Sequence, residues 1–516
     1  MTSLAAGKTT RSIVPLVALV AACFWTIDLA LLHAGTPHPL DDTWEYGLAA
    51  RSLLAGHGFR TAMIHPPLWT LRDGALTVPV LVHGPLLPLL LAPPLHLLGA
   101  AALDGIAWLA ALFAMLAAVL TARVATRLGG AGPGALAALA VTASPITLRM
   151  VHHDMAPVAG MLAVAAALDR LTAPQPRGAA RGLALGVVLG LAALVRPELM
   201  LVVPLVGVAL ALEGRGAGRA LVALVAGCVI VVTPWLVHTA RAVGSPFFNL
   251  SSYLLIGNTS SHPDLSPMRD FGIPPARWPA ALAASWPELL PKWAHFAPRA
   301  LKHLIVAPSA PLGWLAVAGA WVAVRGRNPG SRLAGIGLAA CVIPFALCTV
   351  TESSERYVAV FLPLWALALV RGVDALRASV APSHAPARAR ALVAVALLAS
   401  TAAALVAEAR QGHALERWLA AERAALASRS DHALVARPLF SDTPDFAAWT
   451  TGRSALWLTA DEYARLPDRP AADRPARGDV HDEWFHADLH AAPAPARGGT
   501  AAEITATGEH TRRPSW

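Results

Sequence analysis

Charge is in short supply in this chain. Asp, Glu, Lys and Arg make up 14% of its 516 residues, and at a mean hydropathy of +0.53 that scarcity excludes an ordinary soluble domain. Lysine is almost missing, so the formal net charge of +9 rests nearly wholly on arginine, a bias that matches codon usage in a GC-rich genome and suggests a bacterium. Cysteine is scarce too. Cys23, Cys228, Cys341 and Cys348 all lie in apolar runs without metal-ligand spacing, which excludes a disulfide framework and a zinc site. The chain has no P-loop, GxSxG or HExxH motif and no internal repeat of about 20 to 50 residues, so direct use of a cytoplasmic nucleotide has no support.

Apolar length, by contrast, is abundant. Runs of roughly 17 to 25 residues, each long enough to cross a bilayer, recur until about residue 407 and mark a polytopic membrane protein. The first, Ile13 to Leu32, is too long for a cleaved signal peptide and reads as a retained anchor. Short loops rich in arginine face the cytoplasm. Lys8 and Arg11 therefore put the N-terminus inside, and the clusters at Arg123/Arg127, Arg170/Arg177/Arg181, Arg215/Arg219, Arg325/Arg327/Arg332 and Arg371/Arg377/Arg388/Arg390 must share that side. The threading that satisfies them has spans near 13–32, 105–122, 134–149, 155–170, 182–195, 198–212, 220–238, 311–326, 333–349, 358–371 and 391–407, about eleven crossings. The apolar stretch Pro85 to Gly99 cannot be a crossing without inverting the Arg123 cluster, so it is expected to lie on the outer surface. Residues 182–212 must turn back at Arg196-Pro197-Glu198, where proline disfavours a continuous helix.

This threading sends four segments to the outer face: loop 33–104, Arg149 to Asp154, loop 239–310, and Thr351 to Tyr357. The expected fold is an all-α transmembrane unit over 1–407. Alternating helix-like and strand-like patterns over 408–467 suggest a small extracytoplasmic α/β domain, and the Pro-, Ala-, Arg- and His-rich tail 468–516 is expected to be disordered.

Acids concentrate just after the first span, in Asp41-Asp42-Thr43-Trp44-Glu45-Tyr46. In a helix from Pro39, Asp42, Glu45 and Tyr46 stand at i, i+3 and i+4 and share a face. One carboxylate there could serve as general base toward an acceptor hydroxyl. The competing reading is helix capping, with Asp41 or Asp42 as N-cap and Glu45 in a capping-box place. Asp154, after His152-His153, poses the same choice.

Several strings resemble, in order, the motifs of GT-C glycosyltransferases, most closely the protein O-mannosyltransferases and lipid A aminoarabinose transferases. Asp42-Thr43-Trp44-Glu45-Tyr46, with Ala50-Arg51 and Gly56-His57-Gly58-Phe59, is similar to the first outer-loop motif; Thr43 departs from the Glu often found there. His83-Gly84-Pro85 through Leu90, Asp154, Gly190 to Pro197, Pro234-Trp235 with Arg241, Glu355-Arg356-Tyr357 and Ser441 to Asp445 resemble later family segments, and the likeness covers residues 10 to 466. It implies transfer of a sugar from a polyprenyl-phosphate carrier to a lipid, glycan or protein acceptor on the outer side of the cytoplasmic membrane. In that register Asp42 is the catalytic acid, Asp154 assists, and Asp41 or Glu45 supplies the second carboxylate. Arg196, Arg356 and Arg241 would bind the donor phosphate, a task suited to the planar fork of arginine, with His83 and Lys292 ranking below them; Arg241 and Lys292 read equally as solvated. No metal, other cofactor or nucleic-acid partner is expected. Two other classes stay open: a secondary transporter, kept alive by Asp28 deep in the first span, and a polymerase or ligase of another fold.

Overall fold

A backbone in lipid must satisfy its own hydrogen bonds, so long apolar runs become helices. The computed structural model describes residues 2–32, 42–73, 77–173, 178–212, 216–310, 312–325, 342–380 and 386–428, with 439–441, 448–450, 454–457 and 480–481 beyond. Among these, five helices are long and apolar enough to cross a membrane, or six if one pair bent by 44° counts as a single span. The chain is an integral membrane protein.

In order, α1 (Thr2–Ile27) passes into a π-helical turn at Asp28–Leu32, and α2 (Thr43–Leu54) and α3 (Leu86–Leu98) belong to loop 33–104. Next come α4 (Ala101–Asp104), α5 (Ile106–Gly129), α6 (Ala131–Thr142), α7 (Pro145–His153), α8 (Met155–Thr172) and α9 (Ala179–Val195). They are followed by α10 (Val202–Ala211), α11 (Ala217–Val243), α12 (Trp278–Val306), α13 (Gly313–Arg325), α14 (342–350), α15 (Arg356–Val360), α16 (Leu362–Val380) and α17 (Pro386–Ser428). The bent pair is α6 and α7. As proline at 197 demands, α9 stops at Val195 and Arg196 is extended, with φ −141°.

Lipid gives no hydrophobic reward for helix pairing, so close packing of small residues holds the bundle together. Alanines 107, 110, 114, 117 and 118 of α5 are fully buried among their neighbours. On α9, Gly182, Gly186 and Gly190 follow at four-residue intervals, and a Cβ on any of them would strike α11.

Outside the bundle, Ile64, Leu68, Trp69 and Leu81 of the first loop share one core with Leu250, Tyr253, Ile256 and Leu289 of the long loop. Leu250 N–H donates to the Leu81 carbonyl at 2.8 Å, tying the two loops. Six short strands complete this layer: β1 (Arg60–Thr61), β2 (Met63–Ile64), β3 (Val78–Pro79), β4 (Leu439–Ser441), β5 (Ala455–Trp457) and β6 (Val480–His481). β1 and β3 are antiparallel, while the other four form a parallel sheet in the order β2-β5-β4-β6. That sheet does not stay within 408–467. It takes β2 from the first loop and β6 from beyond 468, since the exposed backbone of an edge strand accepts any extended neighbour. Helix α17 likewise runs unbroken for 43 residues through position 407.

Candidate active site

The i, i+3, i+4 spacing on α2 sets three side chains around one imidazole. His83 Nε2 lies 3.1 Å from Glu45 Oε2 and 3.7 Å from Asp42 Oδ1, and its Nδ1 lies 3.4 Å from Tyr46 Oη. The next residue explains how this ring arrives. A Cβ on Gly84 would collide with the Leu194 carbonyl, so glycine lets the His83 loop lie against the end of α9 just before Arg196.

The two aspartates differ in how they meet their helices. Asp42 precedes α2 in helical geometry, its carbonyl accepting from Tyr46 N–H at 3.0 Å, but its carboxylate caps nothing. Asp154 does cap: its Oδ1 accepts from Ala156 N–H at 2.9 Å, while Oδ2 points to Arg356. Arg356 Nη1 stands 3.2 Å from Asp42 Oδ2 and 3.7 Å from Asp154 Oδ2. Its other arm donates to Glu352 at 2.7 Å, and its Nε to Ser354 Oγ at 3.3 Å. Glu355, in contrast, is taken by Arg149. Arg196 pairs with Glu198 at 2.5 Å, and its guanidinium lies 5.5 Å from the Tyr357 ring centre.

Electrostatics divide the acids. Burial alone would raise the Asp42 pKa, but His83, Arg356 and Arg196 outweigh it and hold the carboxyl below the usual range. At Asp154, burial and the Asp42 charge prevail over Arg356 and Arg196, and its pKa goes up. Asp42 is therefore the ionised member, and Asp154 takes a proton first. His83 is lifted to about 9, against the cost of burial, by Asp42 and Glu45, and stands as an imidazolium. With 30% of its side chain exposed, against 3% for Asp154, Asp42 is the acid that an incoming molecule meets.

Asp42, Glu45, His83, Asp154, Arg196 and Arg356 thus form one cluster. Asp41 lies outside the described residues. Arg241 is exposed in the last turn of α11 and is not among the cations acting on Asp42 or Asp154. The expectation for Lys292 is corrected: it is buried on α12, donating to the Leu254 and Leu255 carbonyls at 2.6 and 2.9 Å. Burial brings its pKa down to about 8. No spacing in the sequence points to His65, which is buried beside this cluster. Asp28, deep in the first span, is 2.8 Å from His152 Nε2. Among the described residues, no three His, Cys, Asp or Glu side chains are placed to hold a metal ion.

No family model matches the chain, and neither does any curated protein. Solved structures do match. ArnT from Cupriavidus metallidurans bound to undecaprenyl phosphate aligns with a TM-score of 0.54 at 14% identity, over 87% of this chain and 86% of that one. Its apo state gives 0.53 at 14% identity over 89% of both chains. The archaeal oligosaccharyltransferase AglB from Archaeoglobus fulgidus, in complex with an inhibitory peptide and a dolichol-phosphate, gives 0.55 at 12% identity, over 87% of this chain and 64% of AglB. Both proteins are GT-C superfamily members, and the likeness is one of fold, in line with the motifs read from the sequence.

Proposed function

We propose that this protein is an inverting glycosyltransferase that moves a sugar from a polyprenyl-phosphate carrier to a lipid, glycan or protein acceptor. The observation that carries the proposal is the position of Arg356, between an ionised, partly exposed Asp42 and a buried Asp154, with Arg196 close by. That ArnT and AglB were solved with polyprenyl phosphates, on the same fold, supports the choice of carrier.

Asp42 accepts the proton of an acceptor hydroxyl, whose oxygen attacks the anomeric carbon. The bond from that carbon to the phosphate oxygen breaks, and the phosphate keeps the electron pair. Its growing charge meets Arg356 and Arg196, two cations already held in place and shielded from bulk water. Attack from the face opposite the leaving group inverts the anomeric configuration. Asp154, with its higher pKa, helps to orient the acceptor.

The same reading places about eleven crossings in residues 1–407 of a bacterial cytoplasmic membrane, with the N-terminus inside and outer loops 33–104 and 239–310 facing out. In this reading residues 408–467, together with β2 and β6, form an extracytoplasmic α/β unit. Transport as the alternative rests on Asp28, which pairs with His152 at 2.8 Å.

The test is transfer by purified protein in proteoliposomes loaded with polyprenyl-phosphate sugars. Asp42→Asn, at unchanged melting temperature, is expected to lower the rate by about a hundredfold or more. Full activity in that variant would sink the base assignment, and solute counterflow without any lipid carrier would favour a transporter.

A further inference from the structure

His65 is 2% exposed, and among the described residues neither of its ring nitrogens has a hydrogen-bond partner. It opens the 3-10 turn Pro66–Leu71, yet its side chain caps nothing. A buried polar group left so is costly and calls for an occupant. A second unpaired atom lies on the same side. Glu45 gives Oε2 to His83, which leaves its buried Oε1 without a partner among the described residues. Glu45, His83 and Asp42 are near enough to act on the charge of His65, so the ring stands beside the α2 acids of the cluster.

An aromatic wall completes the place. β2 and β5 run parallel with Met63 opposite Ala455 and Ile64 opposite Leu456, a register that brings His65 level with Trp457. The two rings meet edge to face at 5.3 Å. Trp457 is only half-buried at the end of a three-residue strand, and the Arg269 guanidinium lies 5.5 Å from its ring centre.

We propose that His65, Glu45 and Trp457 form a subsite for the hydroxyl groups of a neutral sugar ring, a role that rests on the glycosyltransferase reading above. The chemistry of the three groups selects that ligand. Glu45 Oε1 can only accept, as from a hydroxyl. Burial brings the His65 pKa down to about 4, so at neutral pH its ring offers one donor and one acceptor. The C–H face of a sugar packs on an indole, and a carboxylated sugar would be repelled by Glu45. The hydroxyls could come from the transferred sugar or from a sugar acceptor.

The experiment compares binding of undecaprenyl phosphate with that of undecaprenyl phosphate carrying a neutral hexose, a neutral pentose or a uronic acid, using full-length protein in nanodiscs. In the wild type, at least one neutral sugar should tighten binding about tenfold over the bare carrier, as expected for one or two buried hydrogen bonds, and the uronic acid should not. His65→Leu should erase that gain, His65→Gln should keep most of it, and both should bind the bare carrier like wild type. If His65→Leu keeps the donor gain but raises the acceptor KM about tenfold at constant kcat, the hydroxyls belong to the acceptor and the subsite stands. An undiminished gain with an unchanged acceptor KM overturns the proposal, as does equal loss of bare-carrier binding in both variants, or no gain from any neutral sugar. Failure of the underlying reading looks different: the wild type does not bind bare carrier, or Arg356→Ala does not weaken it, and the subsite falls with it.

Discussion

Glu355 receives both arms of the Arg149 guanidinium at 2.6 Å, and the next residue in the chain is Arg356. Arg149 stands on α7, the helix that ends at Asp154, so this fork ties the irregular turn before α15 to the helix that delivers the second acid. Two further bonds hold the turn: Cys348 Sγ donates to the Ser354 carbonyl at 3.1 Å, and His303 Nε2 lies 3.2 Å from that of Ser353. Arg149 is a positioning residue. Arg149→Lys keeps the charge but loses the bidentate geometry, and about a tenfold fall in kcat/KM is expected. Exchange of the pair, Arg149→Glu with Glu355→Arg, should recover part of what either single change loses. Wild-type kinetics in both single variants would refute the tie.

Asp154 divides its two oxygens between a cap and the site, and substitutions can separate these jobs. Asparagine caps helices as well as aspartate does, so Asp154→Asn should melt like wild type and transfer poorly. Asp154→Ala should transfer poorly and also lose about 1 kcal/mol of stability. Thermal unfolding alongside transfer rates makes the comparison. Equal melting temperatures for the alanine and asparagine variants would remove the cap.

The acids of α2, Asp154 and Arg356, which the sequence threading puts on one side through its arginine clusters, do meet in one cluster, and proline at 197 announces the end of α9. Sequence reasoning could not choose between capping and catalysis at Asp42 or Asp154, since that turns on where a carboxylate points. Lys292 was misjudged because its partners are carbonyls of a short turn near residue 254, and no side-chain pattern announces them. The share of β2 in the sheet was hidden for a similar reason: two residues are too few to show alternation. Helix α17 outlasts its apolar stretch because Ala, Leu, Glu and Arg propagate a helix after hydropathy has fallen.

His83 and His65 should tilt stability in opposite directions around pH 6.5, the ordinary histidine value. Folding raises the His83 pKa to about 9, so its stabilisation is complete below 6.5 and disappears as pH climbs through 9. Folding lowers the His65 pKa to about 4, so the unfolded chain binds the extra proton and stability falls as pH drops from 6.5 toward 4. Melting temperatures across pH 4 to 9 read both slopes. His83→Gln should flatten the alkaline limb alone, and His65→Gln the acid limb alone. A variant that flattens the wrong limb would contradict the assigned shift.

Packing of α9 on α11 bears on the site as well as on the bundle. The glycines at 182 and 186 present bare backbone to the carbonyls of Ala220 and Leu224, and Gly190 to the Val231 side chain. A side chain at Gly186 must therefore push the helices apart, and α9 is the element that ends at Arg196 and meets the His83 loop at Leu194. Gly186→Val is expected to lower the melting temperature and to weaken binding of bare undecaprenyl phosphate together, although residue 186 is remote from the cluster in sequence. Gly218, in the first turn of α11, is the control: a Cβ there meets nothing within 4 Å. Gly218→Ala should be neutral or stabilising by up to about 1 kcal/mol, since alanine loses less backbone freedom on entering a helix. Damage from Gly218→Ala equal to that from Gly186→Val would mean that the sensitivity lies in helix propensity and not in the contact between the two backbones.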